Sequence, residues 1–392
     1  MENLYIFYVS IASMQTPFYD PSLSYEENSE QGPFGAFADG KDLRINDQPK
    51  VNFLGFKINT PFGIPSGPLV NAKFCQAAFK KGFDVIHYKT RRSTKFPTNE
   101  WPNVLFVDVE GDLTLQRAKK PLIGSSKIDK DPTQISITNS FGNPSPDAQE
   151  WMEDMKKAVE AEGIGQLLIA SVVGTIKEGF SEEDYYDDFA KTAEFAKQTG
   201  VKVIELNLSC PNVANEGILC YSADAVESIC KKTRAKIGDT KLLIKVGYFS
   251  KGQQGLLVDI VKRVLPIIDG ISAINTIPAP VVNEKGGQAL PGSSARLVAG
   301  ICGASIKWAG LDMVKRLKQL RERWGENFAI IGVGGVMSVE DYMEYRKVEA
   351  DAVQSATGAM WNPYLAQEIK KMEKEKETLI EKLAEKETYL VG

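Results

Sequence analysis

The chain has 392 residues, 43% hydrophobic and 25% charged, the profile of a globular protein with an ample core. A net charge of −4 excludes a globally basic nucleic-acid binder, and no apolar run approaches the ~18 residues of a membrane helix. One histidine, His87, excludes a multi-histidine metal site, so no metal is expected. Five cysteines (75, 210, 220, 230 and 302) without a Cys-x-x-Cys pair argue against a disulfide framework or an iron–sulfur cluster, and they fit a reducing cytoplasm.

In chain order, the apolar start LYIFYVSIAS follows Glu2 and no clean cleavage site follows it. It reads as a tail or packed strand, with Met14 as an alternative start. Residues 15–50 are rich in Pro, Gly, Ser and acids and read as an irregular surface arm, so 1–50 form an N-terminal extension. VNFLGFKINTPF (51–62) reads as a short hairpin around Gly55. Apolar runs then alternate with amphipathic stretches. The predicted strands are FGIPS (62–66), DVIHYKT (84–90), LLIASVVG (167–174), VIELNLS (203–209), LLIKV (242–246), ISAINTI (271–277), AIIGVGG (329–335) and DAVQSATG (351–358). ISITN (135–139) lies in the long excursion 91–150 and is placed outside this set. Among the helices, one starts at the capping box Ser181–Asp184 and closes at Gly200. Another carries Met313, Leu317, Leu320 and Trp324 on one face and stops at Gly325. The Lys/Glu-rich segment 366–392 reads as the last helix running on into a solvated, ion-paired stretch.

Strand–helix alternation implies a parallel sheet with right-handed crossovers. Eight strands between 62 and 358 suit a (β/α)8 TIM barrel over residues 51–365, with the arm and hairpin before it and insertions at its C-terminal rim. A doubly wound open sheet would want a glycine fingerprint after its first strand, and no G-x-G-x-x-G occurs.

Polar residues cluster at the ends of seven of these strands: Ser66, Lys89, Ser171, Asn207, Lys245, Asn275 with Thr276, and Gln354 with Thr357. Any one could be a satisfied core group; together, at the rim where barrels place their sites, they point to a ligand. Lys245 sits inside an apolar run, so it pairs either with Glu205 or with an anionic ligand such as a phosphate or a reduced isoalloxazine ring. GVGG (332–335) and ATG (356–358) are tight turns or a phosphate site, the latter with the helix after Gly335 aiming its N-terminus at the anion. A side chain at Gly335 is expected to fill that phosphate space. Cys210 is a base or nucleophile, or else a buried thiol; Asn207 and Asn212 beside it can read the edge of a planar, amide-rich heterocycle. Cys75, Cys220, Cys230 and Cys302 read as structural, and His87 as a core histidine or one behind the ligand.

This constellation resembles the dihydroorotate dehydrogenases. The resemblance rests on NLSCPN, LLIKV, AINTI, GVGG and QSATG, with PSG (65–67), YKT and ITNSFGN (137–143), and covers about 51–365. Cysteine in NLSCPN marks the soluble class 1 type; the membrane-associated class 2 enzymes carry serine. The resemblance implies oxidation of dihydroorotate to orotate in pyrimidine biosynthesis, with FMN as cofactor. Cys210 would take the C5 proton while the C6 hydride passes to the flavin. Lys89, Asn139, Gly142, Asn207, Asn212, Asn275 and Thr276 would hold the substrate. Ser66, Gly67, Lys89, Thr90, Ser171, Asn207, Lys245, Gly303, Gly334, Gly335 and Thr357 would hold the cofactor. A homodimer is expected, with fumarate or another small oxidant, or a separate electron-transfer subunit, as acceptor, and with neither nucleic acid nor membrane as partner. Pro211–Tyr221 is expected to act as a lid. Two departures stand out: Ala356-Thr357 where the family usually has Gly-Thr, and Asn143-Pro144 where it usually has Leu-Pro-Asn. The alternatives are a dihydropyrimidine dehydrogenase-like enzyme, although that family tends to have His where this chain has Asn212, a flavin-free isomerase or lyase on a phosphorylated metabolite, and a non-catalytic barrel.

Overall fold

All eight predicted strands form and run parallel. In the computed structural model, which describes residues 16–45, 48–209 and 219–391, a hairpin precedes them. It consists of β1 (Val51–Phe53) and β2 (Phe56–Ile58), antiparallel, with Val51 opposite Ile58. Leu54 and Gly55 both have positive φ, the two-residue turn whose twist suits a hairpin. The barrel strands are β3 (Phe62–Gly63), β4 (Val85–Arg91), β8 (Leu167–Val172), β9 (Val203–Asn207), β10 (Lys241–Val246), β11 (Gly270–Ala273), β14 (Ala329–Val333) and β15 (Ala352–Gln354). Their order is β3-β15-β14-β11-β10-β9-β8-β4. Asp84 N–H donates to Phe62 O at 3.0 Å and His87 N–H to Ile64 O at 2.8 Å, which joins β4 back to the chain of β3 and closes the ring. Phe53 and Ile58 of the hairpin pack with Val85, Leu167, Val203 and Leu243, so the hairpin stoppers the barrel's N-terminal end.

The predicted strand 271–277 is in fact two elements. β11 stops at Ala273, and the chain leaves the barrel into β12 (Ile277–Val282). β12 belongs to a second, closed five-stranded barrel with β13 (Val298–Gly303), β7 (Ser136–Asn139), β5 (Phe106–Val107) and β6 (Leu122–Ser125). ISITN therefore lies outside the main barrel, as expected, but as a strand of a small barrel drawn from two distant parts of the chain. Pro278 and Pro280 hid β12 from the sequence pattern, because proline cannot donate to a ladder.

The N-terminal arm is more ordered than its composition suggests. A helix, Tyr25–Gln31, starts at a capping box made by Ser24 and Glu27. Phe18, Tyr19 and Tyr25 are buried, and the Tyr19 and Tyr25 rings lie 5.5 and 5.8 Å from that of Phe141. The helix Glu182–Lys197 begins at the Ser181–Asp184 capping box. The helix Lys307–Trp324 buries Met313, Leu317 and Leu320, leaves Trp324 half-buried, and ends at left-handed Gly325. The last helix, Leu365–Val391, docks through buried Leu365, Ala366 and Ile369. Among the described residues, no helix is long and apolar enough to cross a membrane.

Candidate active site

Barrel strands are buried on both faces, so polar groups at their C-terminal ends need a shared purpose. Here they open into a cavity with about 820 Å³ of empty space, mouth included. Ser66, Gly67, Lys89, Thr90, Asn139, Gly142, Asn207, Lys245, Asn275, Thr276, Gly303, Gly334, Gly335 and Thr357 all line it. Ser171 does not. It is fully buried behind Thr90, and its hydroxyl lies 2.9 Å from Thr90 Oγ1, which in turn lies 3.1 Å from Ser66 Oγ. Cys210 and Asn212, with Pro211 and most of the expected lid, fall outside the described residues.

Register explains how distant residues meet. Asn207 on β9 is level with Lys245 on β10, which is level with Ser272 on β11. Beyond the end of β11, Asn275 Nδ2 donates to Asn207 Oδ1 at 3.1 Å, forming an amide pair across the cavity. Asn139 arrives from the small barrel, where β7 pairs with β13. The Lys89 ammonium lies 5.6 Å from the centre of the Phe141 ring.

The expected Lys245–Glu205 ion pair does not form. Glu205 sits one tier deeper, and its Oε2 lies 3.2 Å from His87 Nε2, a charge contact without the alignment of a good hydrogen bond. On its other side, His87 Nδ1 lies 2.7 Å from Gln354 Nε2, which also donates to Val85 O. Burial pushes the Glu205 carboxyl up, but His87 and then Lys245 prevail and hold it at about 2. Lys245 is 6% exposed and has no carboxylate in ion-pair range among the described residues. Burial lowers its pKa and the Glu205 charge only partly offsets this.

The expected helix N-terminus at the phosphate turn needs correction. The helix after Gly335 starts only at Val339, and Ser338 and Asp341 cap it from within: Asp341 accepts from Met337 N–H at 2.8 Å and Ser338 N–H at 3.1 Å. The turn itself still offers donors. The backbone N–H groups of Gly334, Gly335, Ala356 and Thr357 find no acceptor among the described residues. Tyr345 OH holds the turn by donating to Gly334 O at 2.6 Å. A Cβ on Gly335 would meet the Lys307 backbone nitrogen at 2.6 Å, at φ +67. Glycine there admits the neighbouring helix, so a valine would deform the turn rather than fill the cavity.

Several lining residues were missed, chiefly Phe141, Asn143, Cys302, Ile306 and Met337. Cys302, read as structural, faces the cavity, yet burial pushes its thiol up to about 11, and Thr357 Oγ1 lies 3.6 Å from it. The signal for Asn143 was present, as a polar residue before proline in a motif that already reached the site.

A family model described as dihydroorotate dehydrogenase matches residues 49–376. The chain belongs to the dihydroorotate dehydrogenase family. A Dictyostelium discoideum protein named dihydroorotate dehydrogenase is 34% identical over 359 residues, covering 89% of this chain and 95% of its own length. The catalytic subunit of the NAD-linked dihydroorotate dehydrogenase B of Methanocaldococcus jannaschii is 30% identical over 246 residues, covering 60% of this chain and 72% of its own. A fumarate-linked dihydroorotate dehydrogenase A of Limosilactobacillus reuteri is 28% identical over 200 residues, covering 49% and 58%. The fold is similar to a crystal structure of a dihydroorotate dehydrogenase from Eimeria tenella in complex with ferulenol, at TM-score 0.63 and 19% identity, covering 84% of this chain and 85% of that one.

Proposed function

We infer that this chain oxidises dihydroorotate to orotate in pyrimidine biosynthesis as a class 1 type enzyme, with FMN as its cofactor and Cys210 as its base. The observation that carries the reading is the convergence of the Asn207–Asn275 amide pair, Lys89, the buried ammonium of Lys245 and the orphan backbone donors on one cavity within the family match. The residues fit FMN. The N–H groups of Gly334, Gly335, Ala356 and Thr357 would take its phosphate. Gly67 would leave room for it, since a Cβ there would meet nothing within 4 Å. Lys245 would lie against the ring edge that gains negative charge. FMN supplies hydride acceptance from C6.

The chain's residues do the rest. Asn139, Asn207, Asn212, Asn275 and Thr276 orient the pyrimidine, and Lys89 neutralises the substrate anion. Cys210 as thiolate removes the C5 proton. The reading carries with it a cytoplasmic homodimer that passes electrons to fumarate or a like oxidant, or to a separate subunit. No glycine fingerprint for a dinucleotide occurs in the chain itself.

The test is anaerobic single-turnover flavin bleaching by dihydroorotate against pH. Wild-type rates should rise as a thiol of pKa ~8.5 ionises. Cys210→Ser should be slow and shifted to higher pH, Cys210→Ala slower still, and both should retain FMN and bind orotate. Wild-type rates in Cys210→Ala would remove the base assignment.

A further inference from the structure

We propose that Asn143 is a specificity residue whose side-chain amide donates to the carboxylate of the substrate. This deepens the dihydroorotate reading and rests on it.

Asn143 lines the cavity, is 7% exposed, and its Nδ2 is buried with no hydrogen-bond partner among the described residues. A buried amide donor left unmet is destabilising, so a ligand acceptor is the simplest explanation. The side chain is also held in place. Its backbone is left-handed, with φ 54. Buried Arg92 donates Nε–H to Asn143 O at 3.1 Å, and buried Arg91 reaches Pro144 O at 3.4 Å. Two guanidinium groups therefore clamp the turn from behind.

The turn's surroundings select the ligand group. Phe141, two residues earlier, lies under the Lys89 ammonium, which brings a cation to this end of the cavity. The Asn275–Asn207 amide pair suits the neutral imide edge of a pyrimidine, and Lys245, level with Asn207, is given to the cofactor in the reading above. A carboxylate belongs at the cationic end, where an unmet N–H donor adds a charge-assisted bond.

A rival explanation is conformational, because asparagine tolerates positive φ better than most residues. Asn143→Gly separates the two: glycine keeps the backbone and removes the amide. The experiment measures dissociation constants of the FMN-loaded enzyme for orotate and for uracil, which lacks the carboxylate, by calorimetry, with thermal melting as a check on folding. Wild type should prefer orotate. Asn143→Gly and Asn143→Leu should lose about tenfold or more in orotate affinity, as expected for a hydrogen bond to a charged group. Their uracil affinity should stay within about twofold, and Asn143→Gly should melt like wild type. Orotate affinity unchanged in Asn143→Gly overturns the proposal alone. Wild-type enzyme that binds uracil as tightly as orotate overturns the dihydroorotate reading and the proposal together.

Discussion

Lys245 and Glu205 are neighbours in charge but not partners in contact. Glu205 is committed to His87, 3.2 Å away, and that leaves the Lys245 ammonium facing the cavity with burial working against its charge. A lysine in that position destabilises the empty protein and stabilises whatever anion it meets. Lys245→Met should therefore leave the stability of the cofactor-free protein within about 1 kcal/mol of wild type, or raise it, by removing a poorly compensated charge. FMN affinity should fall about tenfold or more, the worth of a hydrogen bond to a charged group. Urea melts of the apoprotein and FMN fluorescence titration measure the two effects. Undiminished FMN affinity would show that Lys245 answers only to Glu205.

At the scale of elements, turns decide where the site ends and the scaffold begins. Gly335 and Gly325 both have positive φ, for different reasons. Gly335 is crowded by Lys307, whereas a Cβ on Gly325 would meet nothing within 4 Å. Gly325→Ala therefore isolates the backbone cost of a left-handed helix end. It should destabilise the protein by about 1 kcal/mol without touching FMN or orotate binding. Denaturant unfolding checks the first and titration the second; a neutral effect would mean that the helix end relaxes. The small five-stranded barrel acts at the same scale. It carries Asn139 and the Phe141–Asn143 turn over the mouth of the large barrel, and the arm's Tyr19 and Tyr25 brace Phe141 from outside.

For the molecule as a whole, the last helix is pinned to the bottom of the barrel by charge. Lys370 Nζ lies 2.8 Å from Asp84 Oδ2, and both side chains are buried. Asp84 also accepts from Thr60 N–H at 3.1 Å and Gln166 Nε2 at 3.1 Å. Burial raises the Asp84 carboxyl above its usual range, against the opposing effect of Lys370. Lys370→Met would strand that carboxylate and should cost about 3–5 kcal/mol near neutral pH. A carboxyl whose folded pKa is raised favours the folded state below its unfolded value of ~3.9 and loses that advantage as pH rises. The variant's deficit should accordingly shrink as pH is lowered from 7 toward 4. Asp84→Asn in the same chain should recover most of the loss. Urea unfolding at the two pH values tests all three; a deficit independent of pH would assign the loss to packing of the lysine stem.

The sequence by itself determined the eight barrel strands and which residues stand at their ends. Local rules carry that information: apolar runs, caps and punctuating glycines repeat along the chain. LLIKV and NLSCPN announced chemistry because a polar residue in a buried run must be accounted for. Only the tertiary structure decided who pairs with whom. His87 takes Glu205 from Lys245 because β4 and β9, which flank β8, bring the two side chains within 3.2 Å of each other, a relation spanning 118 residues of chain. Ser171 turns behind Thr90 instead of into the cavity, and the helix after Gly335 starts only at Val339, with its own cap. The small barrel was hidden for the same reason. Its strands are short, partly proline-bearing and drawn from 106–139 and 277–303, so no local window contains the pairing that makes them strands.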